Sequence, residues 1–418
     1  MRQARRVISA GASAAVAWPV SFDARMAVFY FVLIAVLPLL APRLGGGYLL
    51  IIGERAVIFA IAALSLELLI GAGGLVSFGH AAFLGIGAYA GGIAASHGLG
   101  SLSIALPAAL AAAAAFALAT GAIAVRTRGV YFIMITLAFA QMAFFIATSL
   151  APYGGDDGLT WPTRTTVFGA RILKNETVFY YVGLALLILT YVCLGHLLGS
   201  RFGRVLRGLK DNDTRMQAIG FTPYLYRLAA YVIAGTLCGA AGFLLGNQAE
   251  FVSPAYMHWQ RSGELIIMVL LGGSGTLYGP MFGALVFLLL EEALSHLTEH
   301  WKVVLGPALV LMALFASGGI AGAIAGWRQR RGALARLASA RARSARRHLA
   351  AGLARLPSWH RLRQPLRTWA AASGIDWLAA RTPACWRAGK RALRRGLQGS
   401  PALRRRGLRA SIARWWQP

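Results

Sequence analysis

The sequence predicts an all-α integral membrane protein, a polytopic helical bundle of about 8–10 spans, some of them discontinuous. Three observations predict it. Of 418 residues, 57% are hydrophobic. The first 320 residues contain one apolar run after another, each near the roughly 20 residues that a helix needs to cross about 30 Å of hydrocarbon. Charged residues, 13% of the chain, gather between those runs.

The expected spans are 26–42, 48–70, 77–97, 101–125, 130–150, 177–199, 227–249, 263–273, 278–296 and 302–319. Residues 263–296 are too long for one straight span and short for two, so a tight pair, or one span with a re-entrant piece, is expected there. The first span reads as a retained anchor. Arg2, Arg5 and Arg6 stand about twenty residues before it, and no small-residue cleavage site follows.

Arg and Lys in short loops set the orientation. A cytoplasmic N-terminus places Arg126 to Arg128 and the cluster from Arg201 to Arg215 in the cytoplasm, and loop 151–176 outside. An even span count returns the C-terminus to the cytoplasm. Three parts are expected: a cytoplasmic segment 1–25, a transmembrane domain 26–325 and a basic extension 326–418. Residues 327–418 hold 23 Arg plus Lys against one acid, Asp376, so they carry +22 of the total +28. The high isoelectric point therefore describes an appendage. Its Arg, Ala and Trp bias, broken by Pro357, Pro365, Pro383 and Pro401, suits a disordered or membrane-surface segment. No nucleic-acid motif accompanies the charge. The three cysteines show neither metal-ligand nor disulfide-framework spacing.

The stretch from Gly74 to Ala95 packs six glycines, a serine and a histidine into one span. Helices in lipid associate by close packing, which small residues permit. Gly87, Gly91 and Ala95 recur every fourth position and form one small-residue face. Gly71, Gly73 and Gly74 precede the polar Ser77 and His80 and are expected to break the helix. Gly272, Gly273, Gly275 and Thr276 make a similar junction before Gly279 and Pro280. Paired Gly-interrupted apolar segments in two halves of a chain point to a translocation pathway. The candidate pathway residues are Glu67, Gly73, Gly74, Ser77, His80, Gly272, Gly273 and Thr276. Both junctions lie toward the cytoplasm, which favours an inner gate. A metal role for His80 is not expected, because no second His or Cys stands three or four residues on.

Glu54, Arg55 and Glu67 share one span, and ionisable groups there are functional candidates. Glu67 is the deeper, with His80 or Ser77 as its expected partner. The segment Gly203 to Gly220 carries Leu206, Leu209, Met216 and Ile219 at helical spacing. Asp211, Asn212 and Asp213 interrupt it and can cap a second short helix, and Gly220 fits a helix C-terminus. An ordinary solvated basic loop has the same composition.

Five segments in order resemble the M-type permease of branched-chain amino acid ABC transporters. These are LSLELLIGAGGLVSFGHAAFLGIGAYAGGIAA (Leu64 to Ala95), RTRGVYFIMITLAFAQM (Arg126 to Met142), YGGDDGL (Tyr153 to Leu159), GRVLRGLKDNDTRMQAIGF (Gly203 to Phe221) and SGELIIMVLLGGSGTLYGPMFGA (Ser262 to Ala284). The resemblance covers about residues 26–325. It implies the ABC importer type of helical fold in a bacterial inner membrane, with branched-chain or related hydrophobic amino acids as cargo. It also implies an H-type second permease, two ATPase subunits and an extracytoplasmic binding protein. Arg204, Arg207, Lys210, Asp211, Asn212, Asp213, Arg215 and Gly220 would then form the ATPase-coupling segment. Asp156 and Asp157, with loops 151–176 and 250–262, would meet the binding protein. The sequence has no Gly-x-x-x-x-Gly-Lys-Ser/Thr loop, so ATP and Mg are expected on the partner subunits. Glu67 departs from the family pattern, which has an uncharged polar residue there, and so does the basic tail. Urea, short amides or other amino acids are the alternative cargo. An ion-coupled transporter using Glu67 and His80 as a proton relay, or a membrane enzyme, are alternatives of other classes.

Overall fold

In the computed structural model, the described residues are 20–44, 47–161, 164–167, 170–297, 300, 303–307 and 318–322. The chain divides into two units, Met1–Arg330 and Arg331–Pro418. The second unit, the expected extension 326–418, residues 1–19 and most of the expected span 302–319 lie outside the described residues.

The first unit is built around one helix. α2, Gly47–Glu67, continues as a π-helical turn, Leu68–Gly73, and its apolar window is 94% buried. A helix that is apolar all round belongs inside a bundle. α1, Val20–Leu44, lies against it and buries Tyr30 and Ile34 while leaving Val28, Phe29, Val32 and Leu39 exposed. The exposed stripe is a lipid-facing surface by composition.

α3, His80–Ser96, packs on α9, Pro223–Ala249, and α4, Leu102–Ala124. Their backbones touch. A Cβ at Gly87 would strike the Gly239 carbonyl, and one at Gly242 would strike the Leu84 carbonyl. α4 faces them with Ala105, Ala109, Ala113 and Ala117, every fourth residue and all fully buried. Without a hydrophobic driving force between helices in lipid, this closeness is what holds the three together.

α5, Val130–Ser149, is peripheral and buries only Phe132, Thr136, Ala140, Ala143 and Ala147. α6, Glu176–Gly199, starts from an Asn175 cap whose side chain accepts the Thr177 amide. Two short helices follow, α7 (Arg201–Asp211) and α8 (Asp213–Ala218). After α9 come α10, Trp259–Gly272, and α11, Gly279–Leu297. The only two strands among the described residues pair antiparallel, β1 (Leu159–Thr160) on β2 (Phe251–Val252).

By length and composition six of the described helices can cross a membrane: α2 with its π turn, α4, α5, α6, α9 and α11. α1 adds a shorter apolar stretch, Ala24–Leu40. α3 and α10 have 17 and 14 residues. Two of the expected spans, 77–97 and 263–273, are the short helices α3 and α10, entered through residues 74–79 and through a 3-10 turn, Pro254–Met257. The stretch 263–296 resolves as a helix pair joined by residues 273–278.

Contacts sort the connections onto two ends. Arg128 pairs with Asp213, and Tyr224 Oη donates to the Ala122 carbonyl at 3.0 Å, so 126–129 and 200–222 share one end, here the basic end. The far end gathers Ser101 with Thr166, and Trp161 N with Glu250 O at 2.9 Å.

Candidate functional site

The basic end is assembled on the turn from α6 into α7. Arg207 reaches back to the Leu198 carbonyl at 2.8 Å, and Val205, Leu206 and Leu209 are buried. That amphipathic face seats α7 under the π turn of α2. Lys210 Nζ donates to the Gly71 carbonyl at 2.9 Å. The turn ends at Gly74, φ +66°, where a Cβ would crowd the Lys210 side chain. Left-handed backbone and a close neighbour both call for glycine there.

Asn212 leaves helical geometry at φ −160°, ψ 105°, and its side chain accepts the Arg215 amide at 2.9 Å, opening α8. Asp213 sits between Arg128 and Arg227, the latter at 2.9 Å. Arg227 is nearly buried, so this carboxylate neutralises a guanidinium that would otherwise be stranded near the start of α9. α8 ends at Gly220, φ +98°. Its outward side stays uncovered: Thr214, Arg215, Gln217 and Ala218 are exposed, and Ile219 is 65% exposed. Arg204 and Asp211 are exposed as well.

Directly above lies the second glycine junction. Glu67 Oε1 accepts the Gly275 amide at 2.6 Å. Gly71 is what lets the carboxylate fold over its own turn, because a Cβ there would occupy the Glu67 Oε1 position. Thr276 Oγ1 donates to the Gly273 carbonyl at 3.3 Å and accepts the Gly279 amide at 3.2 Å, closing the 273–278 turn. Gly273 and Gly275 hold φ of +101° and +96°. A cavity of about 40 Å³ remains between the two junctions, lined by Glu67, Gly71, Ala72, Arg207, Gly275 and Thr276, among others.

His80 belongs to a different cluster. Its Nε2 meets Ser65 Oγ at 2.8 Å, and Ser65 Oγ donates its one proton to the Ala62 carbonyl at 2.7 Å. His80 must therefore donate from Nε2. Ser77 Oγ accepts the Gly79 amide at 3.3 Å. The expected pairing of Glu67 with His80 or Ser77 is thus corrected: the carboxylate binds backbone across the junction instead. A backbone acceptor role suits a latch better than a relay.

Eight pathway residues were expected together. Glu67, Gly73, Gly272, Gly273 and Thr276 do gather at the basic end around the turns, and Gly74 under Lys210, while Ser77 and His80 lie deeper toward α3. Glu67, Gly73, Ser77, His80, Gly272 and Gly273 are all buried. Asp156 and Asp157 are exposed at the far end, in a loop turned by Gly154, Gly155 and Gly158. The expected docking stretch 250–262 needs correction. Phe251 and Val252 join the far-end sheet, but Ser262 accepts the Ala81 amide at 3.0 Å inside the bundle.

Two features escaped sequence reading. Arg227 is a cation at the head of an apolar span, where charge is costly without a partner, and that misfit was the available signal for a buried partner. Arg261 and Glu264 pair at 2.7 Å on α10. Their i, i+3 spacing was visible; their depth was not.

An apolar bundle with two broken spans, tied at one end to an amphipathic helix pair, defines a multi-pass membrane transport subunit. The chain belongs to the family described as branched-chain amino acid transport system, permease component, which matches residues 48–314. Over 295 residues it is 27% identical to the high-affinity branched-chain amino acid transport system permease protein LivM of Escherichia coli, covering 64% of this chain and 69% of that one. The permease protein LivH of the same system and organism is 29% identical over 150 residues, 35% of this chain and 47% of LivH. The fructose import permease protein FrcC of Rhizobium meliloti is 24% identical over 155 residues, 35% of this chain and 43% of FrcC. No solved structure matches.

Proposed function

We propose that this chain is the M-type transmembrane permease of an ATP-driven importer for branched-chain or related hydrophobic amino acids. Likeness to LivM over most of the bundle supports the cargo class, and likeness to LivH supports a second permease of H type beside it. The basic end faces the cytoplasm of a bacterial inner membrane, in keeping with its Arg-rich loops. The chain's ends lie on that side too. Two ATPase subunits bind ATP and Mg and seat the uncovered side of α8. A binding protein delivers cargo at the far end, where Asp156 and Asp157 stand exposed. On this reading ATP and Mg are held by the ATPase subunits and not by this chain.

One observation carries the mechanism: Lys210 of α7 is bonded to the π turn of α2, and Glu67 at the head of that turn is bonded to the 273–278 turn. A displacement of α7–α8 by closing ATPases therefore acts on both glycine junctions together. Glycines in left-handed backbone and a π turn are soft points at which such a shift is absorbed. α3, α4 and α9, locked backbone to backbone, move as one body against them.

The test is reconstitution with the ATPases, the second permease and the binding protein. Bulky residues at Asp211 and Asn212 are expected to lower cargo-stimulated ATP hydrolysis while the complex still assembles. Unchanged stimulation contradicts the coupling role. Uptake that persists without ATPases and collapses with the proton gradient selects the ion-coupled alternative.

A further inference from the structure

The first turn of α10 holds a charged pair with no part in the coupling described above. Arg261 donates to Glu264 Oε2 at 2.7 Å. Between them, Ser262 accepts the Ala81 amide, and the neighbouring His80 carbonyl meets Cys238, near the middle of the 27-residue α9. The pair thus lies about half-way through the bundle. Even so, the Arg261 and Glu264 side chains keep 32% and 22% of their exposure. Trp259 and Gln260 beside them are exposed, and a Cβ added at Gly263 would meet nothing within 4 Å.

Hydrocarbon cannot cover such a surface, because ionisable groups at mid-depth face a bundle interior or water. The α5 side and the α11 side of this turn are apolar spans that lipid can cover; the turn itself is not. We propose that it is a zwitterion-binding station on the wall of the translocation path, with Arg261 taking the carboxylate and Glu264 the ammonium of a passing amino acid. The inference rests on the reading of the chain as an amino-acid permease.

The chemistry favours a zwitterion over a neutral cargo. When empty, the two side chains satisfy one another across one helical turn and the station has no net charge. A free amino acid brings the same two charges side by side and can exchange with both partners at once. No charge is stranded in either state, so cargo is held weakly enough to leave. Trp259, exposed two residues before Arg261, offers an apolar surface to an aliphatic side chain.

Gly263→Cys tests this in the assembled transporter, with Cys193 and Cys385 replaced by serine and the buried Cys238 kept. Membrane-impermeant thiosulfonates are expected to modify the new thiol, and leucine supplied on the binding protein to slow them. Arg261→Gln should lower the ratio of anionic to cationic reagent rates about tenfold, and Glu264→Gln should raise it about as much, as expected of local steering. The exchanged pair R261E/E264R keeps the pairing and guards against misfolding; there the leucine protection should persist. Reaction only with a lipid-soluble maleimide, rates indifferent to both neutralisations, or labelling indifferent to leucine in every variant overturns the proposal. Labelling reads the wall rather than turnover. A chain shown by uptake to use another energy source therefore fails the earlier reading while the charge dependence at Gly263 still stands.

Discussion

Glycine does two opposite jobs in this bundle. Along α3 and α9 it acts as glue: Gly87 faces the Gly239 backbone, Gly242 faces the Leu84 carbonyl, and α4 closes the set with alanines. At residues 71–74 and 272–279 it acts as a joint, with left-handed backbone at Gly74, Gly273 and Gly275 and side-chain bonds holding the turns. In the first region a glycine matters for what it leaves out; in the second, Gly74, Gly273 and Gly275 matter also for the positive φ they hold, while Gly272 meets the Gly279 carbonyl as closely as Gly87 meets that of Gly239. A span rich in glycine is therefore rigid or compliant according to what stands opposite each one. That contrast separates a moving body from the joints on which it turns.

The glue should break hardest. Gly242→Leu must force apart backbones already in contact, and overpacking of this kind costs about 1–3 kcal/mol or more. The expected result is loss of monodisperse protein on size-exclusion of the detergent-extracted chain. The same substitution at Gly199, the last residue of α6, where φ is negative and nothing lies within 4 Å of a Cβ, should leave assembly intact.

Next comes Asp213→Ala. It strands Arg227, whose side chain is 8% exposed, at a cost of about 3 kcal/mol. Stimulated ATP hydrolysis should fall severalfold, with thermal stability in detergent lowered. Removing Arg227 as well should restore part of the stability, which a double-mutant cycle reads directly.

A smaller effect distinguishes a latch from a proton carrier. Glu67→Gln keeps an oxygen for the Gly275 amide and should retain most uptake, whereas Glu67→Ala should reduce it severalfold. Equal loss in both variants supports proton chemistry instead. The smallest effect is expected from deleting 327–418: uptake unchanged per assembled complex.

Much of this architecture was legible beforehand because a bilayer imposes it. Nine of the ten expected spans coincide with described helices, since apolar length alone sets them. The break before Ser77, the Asn212 cap and the Gly220 terminus were also readable, each from a local backbone preference. Partners were not. That Glu67 would meet Gly275 rather than His80 depends on two distant turns arriving at one place, and no spacing encodes that. Ser262 likewise lay in a stretch assigned to the far-end surface, because re-entrant backbone carries the composition of a loop.

The central claim is that α7 moves the junctions through Lys210. Its most direct measurement is cargo imported per ATP hydrolysed by the reconstituted complex carrying Lys210→Met, compared with the unsubstituted complex. The expected result is continued hydrolysis with import per ATP reduced about tenfold. An unchanged ratio at normal assembly would contradict it.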